Sequence, residues 1–194
     1  MPAQRGPWQV LDSRAVYANP WITVREDRVI QPDGRPGIYG VVQCNPAVGV
    51  VALTAEGQVC LVGQYRYPLD EYSWEIVTGY SEPGEDVLAA AQRELREETG
   101  LTATRWTSLG RCHISNSVTD QVGYLYLAEG LEQGAAAPEP TEELSVKVVP
   151  LAEALALAQS SGIVQAFSLV GLYRAAWQHP LRLVAAATDG PPAS

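Results

Sequence analysis

The stretch from Glu85 to Glu98 gathers the glutamates Glu85, Glu94, Glu97 and Glu98 around Arg93. Place residues 86 to 99 on a helix at about 100° per residue. Val87, Leu88, Ala91 and Leu95 then form one apolar stripe, with Arg93, Arg96 and Glu97 on the far side. Glu98 projects between Val87 and Ala91, inside the apolar sector, and Glu94 stands on its edge. A solvated acidic face with Arg93–Glu97 pairing at i,i+4 accounts for Glu97. It does not account for Glu98, because a solvated carboxylate has no reason to point where core residues point. Glu94 and Glu98, one turn apart, also repel each other. Such a group needs a cation, a proton or an arginine. Mg²⁺ suits it, since it takes oxygen ligands while keeping waters and substrate phosphates. Glu85 also suits a helix N-terminus, where negative charge is favourable.

Other side chains suited to chemistry lie upstream. Arg66 is a candidate phosphate clamp through its bidentate fork; the bland alternative is a surface ion pair with Asp70 or Glu71. Trp21, Trp74 and Tyr80 are able to stack on a base, or simply to fill the core. Only His113 and His179 are present, with no Cys/His spacing for zinc. Cys44, Cys60 and Cys112 each sit in an apolar, strand-like stretch and read as small core residues.

These groups need elements to hold them. The first third reads as β: Ile22–Val24 leading toward Val29-Ile30, a turn at Pro32-Asp33-Gly34, then Tyr39–Cys44. Val48–Leu53 and Val59–Val62 flank Ala55-Glu56-Gly57 and predict a hairpin. Trp74–Val77 predicts a strand ending at Gly79. The acidic helix runs over 86–99, with Gly100 in the position of a left-handed cap. Strands at Trp106–Leu109 and Val122–Leu127, a loop over 130–143, a strand at Leu144–Val149 and helices over 151–159 and 164–177 complete the chain. The class is α+β. The expected organisation is a β-rich N-terminal extension over 1–47, a main domain over 48–180 and a tail over 181–194.

The chain has 194 residues, 46% hydrophobic and 18% charged, which reads as a soluble globular protein. No apolar run approaches the ~20 residues of a membrane helix. The N-terminus lacks the apolar core of a signal peptide, so the cytoplasm is the expected compartment. Thirteen Lys+Arg against 22 Asp+Glu give a net charge of −9. That sign works against nucleic-acid and anionic-membrane partners and suits a carboxylate site that collects divalent cations.

The spacing itself carries a resemblance. Gly79, Glu85 after five residues, Arg93-Glu94-Leu95 after seven more, then Glu97-Glu98, Gly100 and Leu101 match every fixed position of the Nudix box, G-x5-E-x7-R-E-U-x-E-E-x-G-U, with U aliphatic. Gln64-Tyr65-Arg66 and Trp74–Gly79 resemble segments of the ADP-ribose and nucleotide-sugar pyrophosphatase branch, and the likeness runs from about Trp21 to Trp177. Two departures stand out. Val77-Thr78 replaces the branch's Pro-Ala. His113–Asp120 holds no proline where ADP-ribose hydrolases often carry one.

The resemblance implies the Nudix fold, mixed β-sheets packed between helices as an α/β/α sandwich. It implies hydrolysis of the pyrophosphate bond of a nucleoside diphosphate sugar, ADP-ribose first, with Mg²⁺ or Mn²⁺, two or three ions per site. It implies Glu94 and Glu98 as main metal ligands, Glu97 close behind, Glu85 in support and the carbonyl of Thr78 completing the set. Glu97 and Glu98 also stand as catalytic candidates, and Arg93 is implied to hold the glutamates. The branch takes its general base from the loop before the last strand, where this chain offers Glu139, Glu142 and Glu143, with Glu142 favoured. Arg66, Glu75 and Trp21 are the candidates for substrate binding. The branch forms homodimers through N-terminal strands, and the leader Trp8–Val42 suits that role. A Nudix hydrolase for GDP-mannose, NADH or a dinucleoside polyphosphate is the alternative within enzymes. A ligand-sensing Nudix domain without hydrolysis is the alternative outside them, though such sensors are expected to lose box glutamates.

Overall fold

The computed structural model describes residues 3–135 and 143–178. The chain divides into two compact units. One takes the chain up to Pro46 together with His113–Val122; the other takes Ala47–Cys112 and the chain from Gly123 onward.

The first unit is a four-stranded antiparallel sheet, β1 (Ala3–Arg5), β2 (Trp8–Ala18), β3 (Ile22–Ile30) and β4 (Pro36–Cys44), in that order. The turn at Pro32-Asp33-Gly34 joins β3 to β4, with Gly34 at φ 85. The segment 113–122, which the sequence places inside the main domain, is tied to β4. Val42 N–H donates to Val118 O (2.9 Å), Tyr39 Oη to Ser117 O (3.0 Å) and Cys44 N–H to Asp120 Oδ1 (3.2 Å). Inside the sheet Asp27 is buried, accepting from Ser13 Oγ (2.5 Å) and Arg25 Nε (3.0 Å).

The second unit carries the helices. Its strands are β5 (Ala47–Ala52), β6 (Gln58–Arg66), β7 (Glu71–Glu75), β8 (Val77–Tyr80), β9 (Leu101–His113), β10 (Val122–Gln133) and β11 (Ser145–Pro150). They form one sheet of order β8-β5-β10-β9 and another of order β11-β6-β7. In the first, β5 runs parallel to β10 and antiparallel to β8. The helices are α1 (Val87–Thr99), α2 (Leu151–Gln159) and α3 (Ala166–Gln178).

Strand periodicity builds the layers. Every residue of β5 is buried, because both of its faces are covered. Val48, Val50 and Ala52 pack with Ala90, Ala91 and Leu95 of α1. Val51 packs on the other side with Leu151 of α2 and with Phe167 and Leu172 of α3. Strand β6 alternates in the same way, Cys60 and Val62 toward the α1 cluster and Val59 and Leu61 toward the other. The result is the α+β arrangement of mixed sheets between helices.

Three expectations need correction. Val48–Leu53 and Val59–Val62 do not form a hairpin; they share one isolated bridge, Leu53↔Val59, and then enter different sheets. Each is apolar on both faces, so each is satisfied inside its own sheet: β5 between β8 and β10, and β6 between β11 and the β7 that directly follows it. The strand at Trp74–Val77 is two strands. β7 pairs with β6 up to Glu75, the chain crosses at Ile76, and β8 pairs with β5. Finally, β10 runs to Gln133, into the stretch expected as loop.

Candidate active site

Helix α1 is cut to length by local chemistry. Asp86 caps its N-terminus, its Oδ1 accepting from Leu88 N–H (2.9 Å) and Ala89 N–H (3.1 Å). Gly100 ends it at φ 73, with its N–H on Arg96 O. Between these caps Glu98 is 4% exposed, among the buried residues Ala90, Ala91, Leu95 and Thr99. The helical wheel placed it there.

Arg93 is the hub. Its Nε and Nη2 reach Glu85 (3.1 and 3.0 Å), and its Nη1 reaches Glu94 (2.9 Å) and Glu97 (3.1 Å). Nη2 also donates to Tyr80 O (2.9 Å), which ties the helix to β8. Arg96 adds a longer contact to Glu97, 3.7 Å. These hydrogen bonds raise the pKa of Arg93 and hold the Glu85 carboxyl below its ordinary range, with the N–H of Glu82 helping. Glu94 goes the other way. Burial pushes its carboxyl up, against the pull of Arg93 and of the Tyr80 N–H.

Gly79 lets Glu94 lie where it does. A Cβ at position 79 falls on the carboxyl carbon and both carboxyl oxygens of Glu94. The glycine of the box is needed for this close approach of side chain to backbone, and Thr78 precedes it in the same strand.

Arg66, at the end of β6, does not pair with Asp70 or Glu71. Its Nε and Nη2 grip both oxygens of Glu75 (2.8 and 2.5 Å), and Nη2 lies 3.5 Å from Thr78 Oγ1. Asp70 takes the Tyr65 hydroxyl instead. Glu75, expected to touch substrate, is 2% exposed and stands behind Arg66, also accepting from Gln165. The strand switch at Ile76 puts Glu75 on one sheet and Thr78 on the other, so Arg66 reaches both.

Trp74 is a packing residue, half-buried under Lys147 Nζ at 4.0 Å and edge-on to Tyr72. Tyr80 is exposed. Trp21 belongs to the N-terminal unit, where it is 73% exposed beside a cleft of about 320 Å³. Glu143 is exposed. Glu139, Glu142 and the tail over 181–194 lie outside the described residues. Cys60 is a core residue whose thiol is pushed up to about 11 by burial and then by the charge of Glu98.

Sequence reasoning missed Gln165 and Ser168. One signal was available: Ser168 is a polar residue between Phe167 and the apolar run that follows.

Two family models match the chain. One, described as the NUDIX domain, covers residues 45–167; the other, described as the nucleoside diphosphate sugar hydrolase N-terminal domain, covers residues 8–42. The chain belongs to the Nudix family. An ADP-ribose pyrophosphatase of Bacillus subtilis (strain 168) is 33% identical over 153 residues, 78% of this chain and 83% of that one. The methanol dehydrogenase activator of Bacillus methanolicus is 28% identical over 176 residues, 90% of this chain and 95% of that one. A crystal structure of an ADP compounds hydrolase matches with a TM-score of 0.78 at 22% identity, covering 89% of this chain and 94% of that chain. At that identity the likeness speaks for the Nudix fold alone.

The Nudix residues present fit a divalent cation. Among the described residues, no three His, Cys, Asp or Glu side chains cage an ion on their own. A partial shell is what Mg²⁺ uses, since it keeps waters and takes substrate phosphate oxygens. Glu98 is buried, and burial raises the pKa of the Glu94 carboxyl although Arg93 pairs with it. A divalent cation beside these carboxylates would favour their charged form.

Proposed function

We propose that the chain hydrolyses the pyrophosphate bond of a nucleoside diphosphate sugar, with ADP-ribose giving AMP and ribose 5-phosphate as the first reaction to test. The observation that carries this reading is the Arg93 hub. It holds Glu85, just before α1, together with Glu94 and Glu97 of the helix, with Glu94 against Gly79 and Glu98 buried one turn beyond Glu94. The ADP-ribose pyrophosphatase relative and the match of the N-terminal segment to nucleoside diphosphate sugar hydrolases supply the substrate class.

In this reading Glu94, Glu97 and Glu98, with Glu85 and the Thr78 carbonyl in support, hold Mg²⁺ or Mn²⁺, two or three ions per site. When bound, such ions neutralise the diphosphate and supply a water acidic enough to attack at neutral pH. Arg93 keeps the carboxylates apart and oriented. Arg66, fixed by Glu75, presents its remaining guanidinium edge to a phosphate oxygen. Glu142 takes the last proton from the attacking water. Leu11, Val16, Tyr17 and Ile38 leave the N-terminal sheet with exposed apolar surface, which supports a homodimer in which the separate, exposed Trp21 meets the substrate base. No helix among the described residues is long and apolar enough to cross a membrane. The cytoplasm is the compartment proposed, where nucleotide substrates are held.

The test is a screen of nucleoside diphosphate derivatives with Mg²⁺, products resolved by chromatography. Cleavage of ADP-ribose to AMP is the expected result. GDP-mannose, NADH and a dinucleoside polyphosphate belong in the screen, because the His113–Asp120 segment lacks the proline of the ADP-ribose enzymes. Cleavage of the dinucleoside polyphosphate with no nucleoside diphosphate sugar touched overturns the reading.

A further inference from the structure

Behind Arg66 runs a closed relay of hydrogen bonds. The N–H of Ile76 donates to Ser168 Oγ at 3.0 Å. Having accepted there, the hydroxyl donates to Gln165 Oε1 at 2.5 Å. This fixes which end of the Gln165 amide faces which partner, so its Nε2 donates to Glu75 Oε2. Glu75 in turn receives Arg66 on both oxygens. The relay begins on the backbone next to Glu75 and ends on the Glu75 carboxylate. It therefore locks that side chain against its own main chain.

Burial shows that the lock matters. Glu75 is 2% exposed and Ser168 is 0% exposed, so neither has water as an alternative partner. Gln165 itself immediately precedes α3, and its carbonyl accepts from Leu169 N–H at 3.0 Å. Glutamine is not among the residues favoured at the start of a helix. Here its longer side chain reaches away from the helix to Glu75. Arg66 keeps Nη1 outside the Glu75 pair.

We propose that Gln165 is a positioning residue that presets the Arg66 guanidinium for the substrate diphosphate. The proposal rests on the reading above, in which Arg66 meets that group. A preset fork loses less freedom on binding than one that must be ordered by substrate.

The test uses Gln165→Leu, with Ser168→Ala as the second variant should the first not fold. The first measurement is the NMR signal of the Arg66 Nε–H in the substrate-free protein. It is expected to be slowly exchanging in the parent and broadened or lost in the variant. The second is steady-state hydrolysis of ADP-ribose with Mg²⁺. Gln165→Leu is expected to raise KM about tenfold with kcat within about twofold, as for loss of binding shared by ground and transition states. Added to Arg66→Ala, it is expected to cause no further rise, because residues acting through one group are not additive. An unchanged Nε–H signal overturns the relay. So does the same rise in KM with and without Arg66. If Arg66→Ala leaves KM unchanged while Gln165→Leu alters the Nε–H signal, the relay holds Arg66 but the diphosphate assignment of Arg66 fails.

Discussion

The carboxylate of Glu94 occupies the space that a Cβ at position 79 would take. Gly79→Ala therefore displaces Glu94 from the Arg93 hub and from the Tyr80 N–H. The clash is with the end of a flexible side chain, so the stability cost is the lost Glu94 ion pair and hydrogen bond, about 1 kcal/mol. Misplacement of Glu94, the proposed metal ligand, is expected to lower kcat on the order of 10²-fold. Thermal melting and turnover across a Mg²⁺ titration check both. Wild-type turnover in Gly79→Ala contradicts the assignment of Glu94.

Glu98 is 4% exposed within the apolar face of α1. Glu98→Gln keeps the shape and removes the charge. It is expected to cost on the order of 10²-fold or more in rate, while melting without metal stays level or rises because repulsion from Glu94 is relieved. Near-normal turnover at saturating Mg²⁺ sinks the assignment.

Asp27 gives a pH signature in the N-terminal unit. Burial raises its pKa, but the bonds from Ser13 and Arg25 outweigh it and hold the carboxyl below the ordinary 3.8. A carboxyl depressed in the folded state adds stability above its unfolded pKa and loses it as pH falls through the folded one. Asp27→Asn is expected to lose about 1–3 kcal/mol at pH 7. The gap to the parent should shrink only below 3.8. Urea melts at pH 7 and across the acid range measure it; a gap that persists unchanged at the lowest pH refutes the account.

Glu142 is the base we propose, on the branch resemblance. Glu142→Gln is expected to lower kcat strongly and KM little, since the group acts on water and not on the sugar. Glu139→Gln and Glu143→Gln are the controls, with milder effects. Wild-type kcat in Glu142→Gln, with loss in a control, moves the role to that neighbour.

The exposed apolar side chains of the N-terminal sheet predict a homodimer. Light scattering at micromolar concentration should give twice the 20.9 kDa chain mass. Trp21→Ala is expected to raise KM for the nucleotide, with dimerisation retained. A fully active monomer rules the dimer out.

Helix α1 was legible from sequence, as were its cap Gly100 and the inward aim of Glu98, while Asp86, read as the first helical residue, is the N-cap. Each of these depends on neighbours within one or two helical turns. Backbone periodicity and capping act over that distance, and the residue types alone specify them. The stretch Val48–Leu53 was likewise legible as a strand, though read as one arm of a hairpin.

Which strands lie beside it was decided only in three dimensions. A strand apolar on both faces has no register mark to name its partner. The choice of β8 and β10 for β5, and of β11 for β6, rests on the packing of the whole unit, whereas β7 simply follows β6 across a short turn. The same holds for the crossing at Ile76, which places Glu75 and Thr78 on different sheets within reach of one arginine. Gln165 meets Glu75 from 90 residues away. No local pattern encodes that bond, because hydrogen-bond complementarity between distant segments exists only once the chain has folded.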